Sequence, residues 1–305
     1  MILKLSKDFK FSNNYKKMNI FSFLLIFLSI LVLLFKGLNF GVDFKGGTLI
    51  EIRSENININ IADIRQSLLK MNLGDINVKK FGNENDYLIK IEKTNTNDPN
   101  FIKSINEQLI SDLNSPLNFR RVENVGPKVS RELLDAGFLA IALSLAAMLF
   151  YIWIRFEWQF SLGAIIAIIH DVIITVGIFS FLSYEINLSI VAAVLTIVGY
   201  SMNDTVVIFD RIRENLRKYT KVSISEISDI STHETLSRTI ITSLTTLLAL
   251  FSIYIFGGAI LKGFSFAMII GVIVGTYSSI FVATPILNYT NVSQKTILKE
   301  ERENN

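Results

Sequence analysis

Six stretches of this chain stay apolar for long enough to cross a bilayer, which takes about 20 residues in a helix. They run over residues 20–35, 134–154, 161–182, 188–209, 239–256 and 264–288. The segment between the first and second is patterned differently. Residues 48–53 (TLIEIR) alternate apolar and polar positions as a half-buried strand does, and residues 61–71 (IADIRQSLLKM) place apolar side chains at helical spacing. Residues 76–81 and 87–92 read as strands joined by a turn rich in Gly and Asn, residues 99–113 as a second helix and 117–122 as a last strand. The predicted order is β-α-β-β-α-β, a ferredoxin-like pattern. The expected fold is an α-helical polytopic membrane protein with six transmembrane helices and one α+β ferredoxin-like domain between helices 1 and 2.

Basic residues predict the orientation. Lys4, Lys7, Lys10, Lys16 and Lys17 precede the first span, and Arg155 joins the second to the third. Arg211, Arg213, Arg217, Lys218 and Lys221 follow the fourth, and Lys295, Lys299 and Arg302 lie in the tail. All these regions fall on one side. The links on the other side, 183–187 and 257–263, hold one lysine, Lys262. Both termini are therefore expected in the cytoplasm and the α+β domain outside it. The division predicted is a cytoplasmic N-terminus (1–19), a first transmembrane helix (20–37), a periplasmic domain (38–132), transmembrane helices 2–6 (133–289) with a cytoplasmic basic segment (210–237), and a cytoplasmic tail (290–305).

Composition agrees with a membrane protein. Half of the 305 residues are hydrophobic, and the mean hydropathy of +0.43 is rare among soluble domains. With no cysteine there is no disulfide, thiolate metal site or thiol nucleophile, and two histidines leave little for a metal site. A Walker-type phosphate loop is absent, which argues against ATP hydrolysis. The α+β segment shows no catalytic-looking cluster of acids, histidines or serines. No cofactor, metal or nucleic-acid partner is expected. The first apolar run follows basic residues and lacks a small-residue cleavage site, so it is expected to remain as an anchor.

Asp204 lies inside the fourth apolar run (NLSIVAAVLTIVGYSMNDTVVIF) with no basic residue near it in sequence. A charge in mid-helix costs roughly 2.5–3.5 kcal/mol on insertion scales, and intramembrane acids are tolerated where they pair, line water or carry a proton. Asp204 is read as a proton carrier; the alternative is a structural acid bonded to a nearby Ser or Thr. Asn203, Ser201 and Thr205 adjoin it and could orient the carboxyl, or each could simply help the helices pack. Arg238 opens the fifth span at a compatible depth, where it either pairs with Asp204 or snorkels to the cytoplasmic interface. His170 and Asp171 sit mid-span, about 100° apart around the helix, so they cannot both face one partner squarely; one could relay protons while the other locks a helix interface, or they serve a structural hydrogen-bond role. Asp210 and Arg211 mark the interface, before a basic segment that faces water or anionic lipid. Gly271 and Gly275 form a GxxxG packing motif, and Pro285 is expected to kink the last helix or end its regular part.

These residues carry a resemblance. GVDFKGGTLIEI (41–52), VENVGPKVSREL (122–133), HDVIITVGIFSF, VGYSMNDTVVIFDRIRENLRK, TLSRTIITSLTTLLAL and GVIVGTYSSIFVATP look like successive signatures of the SecD/SecF family of protein-export membrane subunits, on its SecF side. The likeness covers nearly the whole chain. Gly41, Asp43, Gly46 and Gly47 match the family's Gly-x-Asp-Phe-x-Gly-Gly signature. The resemblance implies half of an RND-type transporter, completed by SecD. The pair would use the proton-motive force to draw preproteins from the SecYEG channel in the bacterial inner membrane, with YajC as a further partner. It implies that Asp204 and Arg238 belong to the proton pathway. Some members carry an acid near the start of the last span; here that region reads LKGFSFA, with Lys262 and no carboxylate, so that step is absent or served from SecD. Two readings compete: a stand-alone RND-like exporter of lipids or small molecules, and a passive assembly factor of the channel. No nucleophile–base pair or metal set suggests an enzyme.

Overall fold

In the computed structural model, residues 9–56, 59–80, 83–92, 100–219, 221–294 and 296 are described. Lys4, Lys7, Lys295, Lys299 and Arg302, and the predicted element ends at Phe81 and Pro99, lie outside them. In chain order the elements are a 3-10 turn (Phe11–Asn14), α1 (Tyr15–Lys36), β1 (Asn39–Phe40), α2 (Val42–Lys45), β2 (Gly47–Ser54), α3 (Ile61–Leu69), β3 (Ile76–Lys80), β4 (Asp86–Ile91), α4 (Phe101–Leu113) and β5 (Leu117–Val125). There follow α5 (Pro127–Arg155), α6 (Trp158–Leu182), β6 (Glu185–Ile186), α7 (Leu188–Lys218), α8 (Ile224–Phe256), α9 (Gly258–Ser278), a π-helical turn (Ser279–Ala283) and α10 (Thr284–Tyr289). Two units separate: one of Met1–Asn39, Ala140–Tyr184 and Ser189–Asn305, the other of Phe40–Leu139 and Glu185–Leu188.

The second unit is built on a four-stranded antiparallel sheet in the order β3-β4-β2-β5. Central β2 is buried along nearly its whole length because partners flank it on both sides. Ile50 sits opposite Ile89 and Val122, and Ile52 opposite Tyr87. The core includes Ile50, Ile52, Tyr87 and Ile89 with Ile64 and Leu68 of α3 and Ile105 and Leu109 of α4. α3 starts with a capping box in which the Asn60 side chain meets the Asp63 backbone and the Asp63 side chain the Asn60 backbone, so its sequence fixes its first turn. Arg53 and Asp86 face each other across β2 and β4 and pair bidentately, Nε to Oδ1 at 2.6 Å and an Nη to Oδ2 at 2.7 Å. That guanidinium holds the Asp86 carboxyl below the usual carboxylate range. The Lys70 ammonium, then the Gln108 and Ser67 side chains, bring Asp112 down to about 2.

Six helical spans are long and apolar enough to cross a membrane: Phe11–Lys36, Pro127–Arg155, Trp158–Leu182, Leu188–Lys218, Ile224–Phe256 and Leu261–Tyr289. They occupy the places the apolar pattern gives them, but α1 and α5 start five and seven residues early and α7 and α8 overrun it further. α7 continues to Lys218 and α8 starts at Ile224, so most of the predicted basic segment is helix. The cause is a continued apolar stripe: Ile212, Leu216 and Ile227 stay buried among polar neighbours. Ser223 caps α8, its hydroxyl accepting the Glu226 amide at 3.3 Å. Gly271 and Gly275 of α9 lie on α7; a Cβ on Gly271 would come 2.3 Å from the Ile197 side chain. Pro285 falls in the first turn of α10, just after the π-helical turn that ends the regular part of α9.

Acid titration tests the second unit. Asp86 and Asp112 are depressed in the folded state, so their stabilisation is complete above about pH 4, where unfolded carboxylates are ionised, and fades as pH falls toward about 2. Melting followed by circular dichroism is expected to show a falling midpoint across that window, with a shallower fall in Asp86→Asn. A midpoint independent of pH there would contradict the pairing.

Candidate functional site

α7 carries polar side chains on two sides. Towards α6 and α9 they form a closed cluster. His170 Nδ1 lies 2.8 Å from Asp171 Oδ1. The other oxygen of Asp171 accepts hydrogen bonds from Ser201 Oγ at 2.5 Å and Ser278 Oγ at 2.8 Å. Thr205 and Ser279 hydroxyls meet at 2.9 Å one turn further on. The His170 ring stacks on Tyr277 at 6.0 Å, and the Tyr277 hydroxyl reaches α1, donating to the Met18 carbonyl at 2.9 Å and lying 2.8 Å from Ser22 Oγ. His170 and Asp171 are each 1% exposed. Asp171 thus ties three helices, each of its oxygens occupied, while His170 Nε2 has no partner.

Towards α8 lies Asp204, 3% exposed. The charge of Arg238 and then the Ser243 side chain act on it from α8. Its Oδ2 is buried without a hydrogen bond. Ser243 Oγ in turn lies 2.7 Å from Thr276 Oγ1, which joins α8 to α9. One turn away on α7, the Tyr200 hydroxyl donates to Thr246 at 3.4 Å. An acid enclosed by apolar helices with one oxygen unsatisfied is destabilised while it is charged, and a proton on that oxygen removes the charge.

Several expectations are corrected. No Asp204–Arg238 ion pair forms within 4.0 Å among the described residues. Arg238 is exposed, and it sits five residues before Ser243, roughly 7.5 Å along α8. Ser201 and Thr205 turn to Asp171 and Ser279 instead of Asp204, and Asn203 is exposed on another face of α7. His170 and Asp171 bond each other. Among the described residues no group of His, Asp and Glu is placed to hold a metal ion.

The pattern alone did not reveal a second polar group at the helix ends. Glu157, buried before α6, pairs with Arg213 at 3.0 Å, and Arg155 pairs with Asp210 at 3.0 Å. The Phe156 ring lies near both guanidinium groups, at 5.0 Å from Arg155 and 5.3 Å from Arg213. Arg211 pairs with Glu234 at 2.7 Å, joining α7 to α8. The signal was a three-residue turn, Arg-Phe-Glu, whose charges complement Asp210 and Arg213 one turn apart on α7.

The signature residues gather around the segment before α7. The Gly41 amide donates to the Ile186 carbonyl at 2.8 Å, and Asp43 Oδ2 accepts the Leu188 amide at 2.9 Å. Gly46 and Gly47 have φ of +77° and +122°, and a Cβ on Gly47 would stand 2.6 Å from the Ile91 carbonyl, so only glycine fits there.

The two buried acids should behave differently on replacement. Asp171→Ala strips His170, Ser201 and Ser278 of their shared acceptor and is expected to cost about 2–4 kcal/mol. Asp204→Asn is expected to stay within about 1 kcal/mol of the parent, because Oδ2 has no bond to lose. Unfolding in detergent measures both, and equal losses would contradict the assignment.

Known proteins resemble this chain in sequence and fold. The family model described as protein export membrane protein SecD/SecF, C-terminal, matches residues 105–293, and the SecD/SecF GG motif matches residues 31–56, around Gly46 and Gly47. The protein translocase subunit SecF of Rickettsia bellii is 46% identical over 284 residues, covering 92% of this chain and 92% of that protein. The SecF of Cereibacter sphaeroides is 42% identical, covering 90% and 87%. The crystal structure of SecDF from Thermus thermophilus, titled a translocon-associated membrane protein, superposes with a TM-score of 0.84 at 32% identity. A SecDF structure in a super-membrane-facing form gives 0.68 at 31%. These cover 95% and 97% of this chain but only 40% and 39% of the SecDF chains. Matched by family models over most of its length and by SecF proteins over about nine-tenths of it, the chain belongs to the SecD/SecF family of protein-export membrane proteins.

Proposed function

We propose that this chain is a SecF-type accessory subunit of Sec protein export that couples proton movement to late preprotein translocation. The observation that carries the coupling is Asp204, buried on α7 with a carboxylate oxygen left unsatisfied. The proposed setting is the bacterial inner membrane, with both termini cytoplasmic and the sheet-bearing unit exported as a ferredoxin-like domain. The strand order β3-β4-β2-β5 supports that last reading. A SecD-type half is the proposed partner, since the SecDF chains run to more than twice the matched length. Exposed Thr196, Gly199 and Asn203 line one face of α7 and support packing against a further membrane helix. The SecYEG channel, YajC, membrane lipid and the moving preprotein complete the proposed assembly.

In this mechanism a proton from the more acidic exported side neutralises Asp204. The carboxyl then needs no counter-charge, and its hold on Ser243 and on the field of Arg238 weakens. α7 and α8 repack, and release of the proton to the cytoplasm restores the first arrangement. One charge crossing 100 mV supplies about 2.3 kcal/mol, enough to bias two packings and too little to unfold a domain. The subunit therefore acts as a ratchet on a chain already unfolded in the channel, and not as a classical enzyme. Arg238 sets the field at Asp204. His170, with Nε2 buried and unbonded among the described residues, and Asp171, which holds its ring, form the inner part of the proposed pathway.

A stand-alone exporter would carry both halves in one chain, whereas this chain matches one half of SecDF and 92% of a SecF. A passive assembly factor has no use for the unsatisfied Asp204. Inverted vesicles holding this chain with a SecD-type partner test the proposal. A pH gradient is expected to stimulate export with the parent chain and not with Asp204→Asn; equal stimulation of both would return Asp204 to a structural role.

A further inference from the structure

The Gly41–Gly47 signature is anchored at both ends within one unit. At its far end Gly46 and Gly47 turn into β2, the strand paired on both sides, and just before its near end the Phe40 carbonyl accepts from the Lys90 ammonium of β4 at 3.1 Å. At its near end Gly41 is held close to Ile186: a Cβ would stand 3.3 Å from the Ile186 carbonyl oxygen and 3.5 Å from Asn187 Cβ. Between them Asp43 accepts the Leu188 amide at 2.9 Å. Leu188 is the first residue of α7, and the first amides of a helix have no acceptor within it. A carboxylate there makes a charge-assisted bond and sits at the favourable end of the helix dipole.

The same helix carries Asp204. From Leu188 to Asp204 α7 is unbroken, about 24 Å at 1.5 Å per residue. Leu188 belongs to the sheet-bearing unit, while α7 from Ser189 onward belongs to the helical one. We propose that Asp43 is a positioning residue that makes the first residue of α7 part of the sheet-bearing unit. A shift of α7 driven at Asp204 is then delivered through Asp43 to the signature loop and β2. This rests on the proton-linked role of Asp204 proposed above. The chemistry required of residue 43 is a side-chain acceptor at a helix start, which Asn and Ser also supply and Ala does not.

Hydrogen exchange on the full chain with its SecD-type partner in lipid tests this, on Asp43, Asp43→Ala, Asp43→Asn and Asp43→Ser, each with Asp204 or Asp204→Asn. Asp43→Ala is expected to speed exchange at Leu188 by roughly fivefold, the loss of one cap. Asp204→Asn is expected to change exchange over residues 41–52 when residue 43 is Asp, Asn or Ser, and to leave it unchanged when it is Ala. Gradient-stimulated export should follow the same order at equal protein level. A change at 41–52 that persists in Asp43→Ala overturns the proposal, as does failure of Asn and Ser to retain it. If Asp204→Asn keeps gradient-stimulated export with Asp43 intact, the proton reading fails and the coupling with it, a result distinct from any defect that tracks residue 43. Should Asp43→Ala not accumulate, the Asn and Ser variants still decide, since a role for charge and not for capping would abolish the response in both.

Discussion

Inside an apolar helix bundle a carboxylate is either enclosed by donors or left in need of a proton, and this chain holds one acid of each kind. Asp171 is enclosed: His170, Ser201 and Ser278 meet its two oxygens. Asp204 is not, for Oδ2 has no bond and its cationic neighbour stands off beyond pairing distance. The difference assigns them different work. Asp171 ties α6, α7 and α9 together; Asp204 is the acid on which the proposed proton exchange rests.

α7 is where the two meet. Its Ser201 and Thr205 face the locked cluster, its Asp204 faces α8, and its Asn203 is exposed. The small residues of α9 bring that helix close, with Gly271 against Ile197 and Gly275 against Ser201. Close packing without large side chains in between is what allows hydroxyl-to-carboxylate bonds across helices. Where α9 passes into its π-helical turn, Ser279 points to Thr205 and the Thr284 hydroxyl bonds back to the Ser279 carbonyl at 2.8 Å.

The apolar pattern made the six spans and the alternating strands legible because burial alone decides those positions. It misjudged helix ends, since α7 and α8 are extended by an amphipathic stripe past the point where continuous hydrophobicity stops. Asp204 was legible as an isolated acid in an apolar run. Its surroundings were not: on a helix Ser201 and Thr205 look like its neighbours, yet tertiary packing turns them to Asp171 and Ser279. The Arg238 pairing failed for a similar reason, as compatible depth along two helices does not set which way a side chain points. The bonded His170–Asp171 pair, and the Glu157–Arg213 and Asp43–Leu188 contacts, depend on which elements meet in space, and no periodicity encodes that.

The most direct measurement is infrared difference spectroscopy of the protonated-carboxyl stretch across the neutral pH range, on the parent chain, Asp204→Asn and Asp171→Asn. A titrating carboxyl band that disappears in Asp204→Asn and survives in Asp171→Asn is the predicted result. A band lost only in Asp171→Asn, or no titrating carboxyl in the parent, would contradict the central claim that Asp204 is the proton-exchanging group.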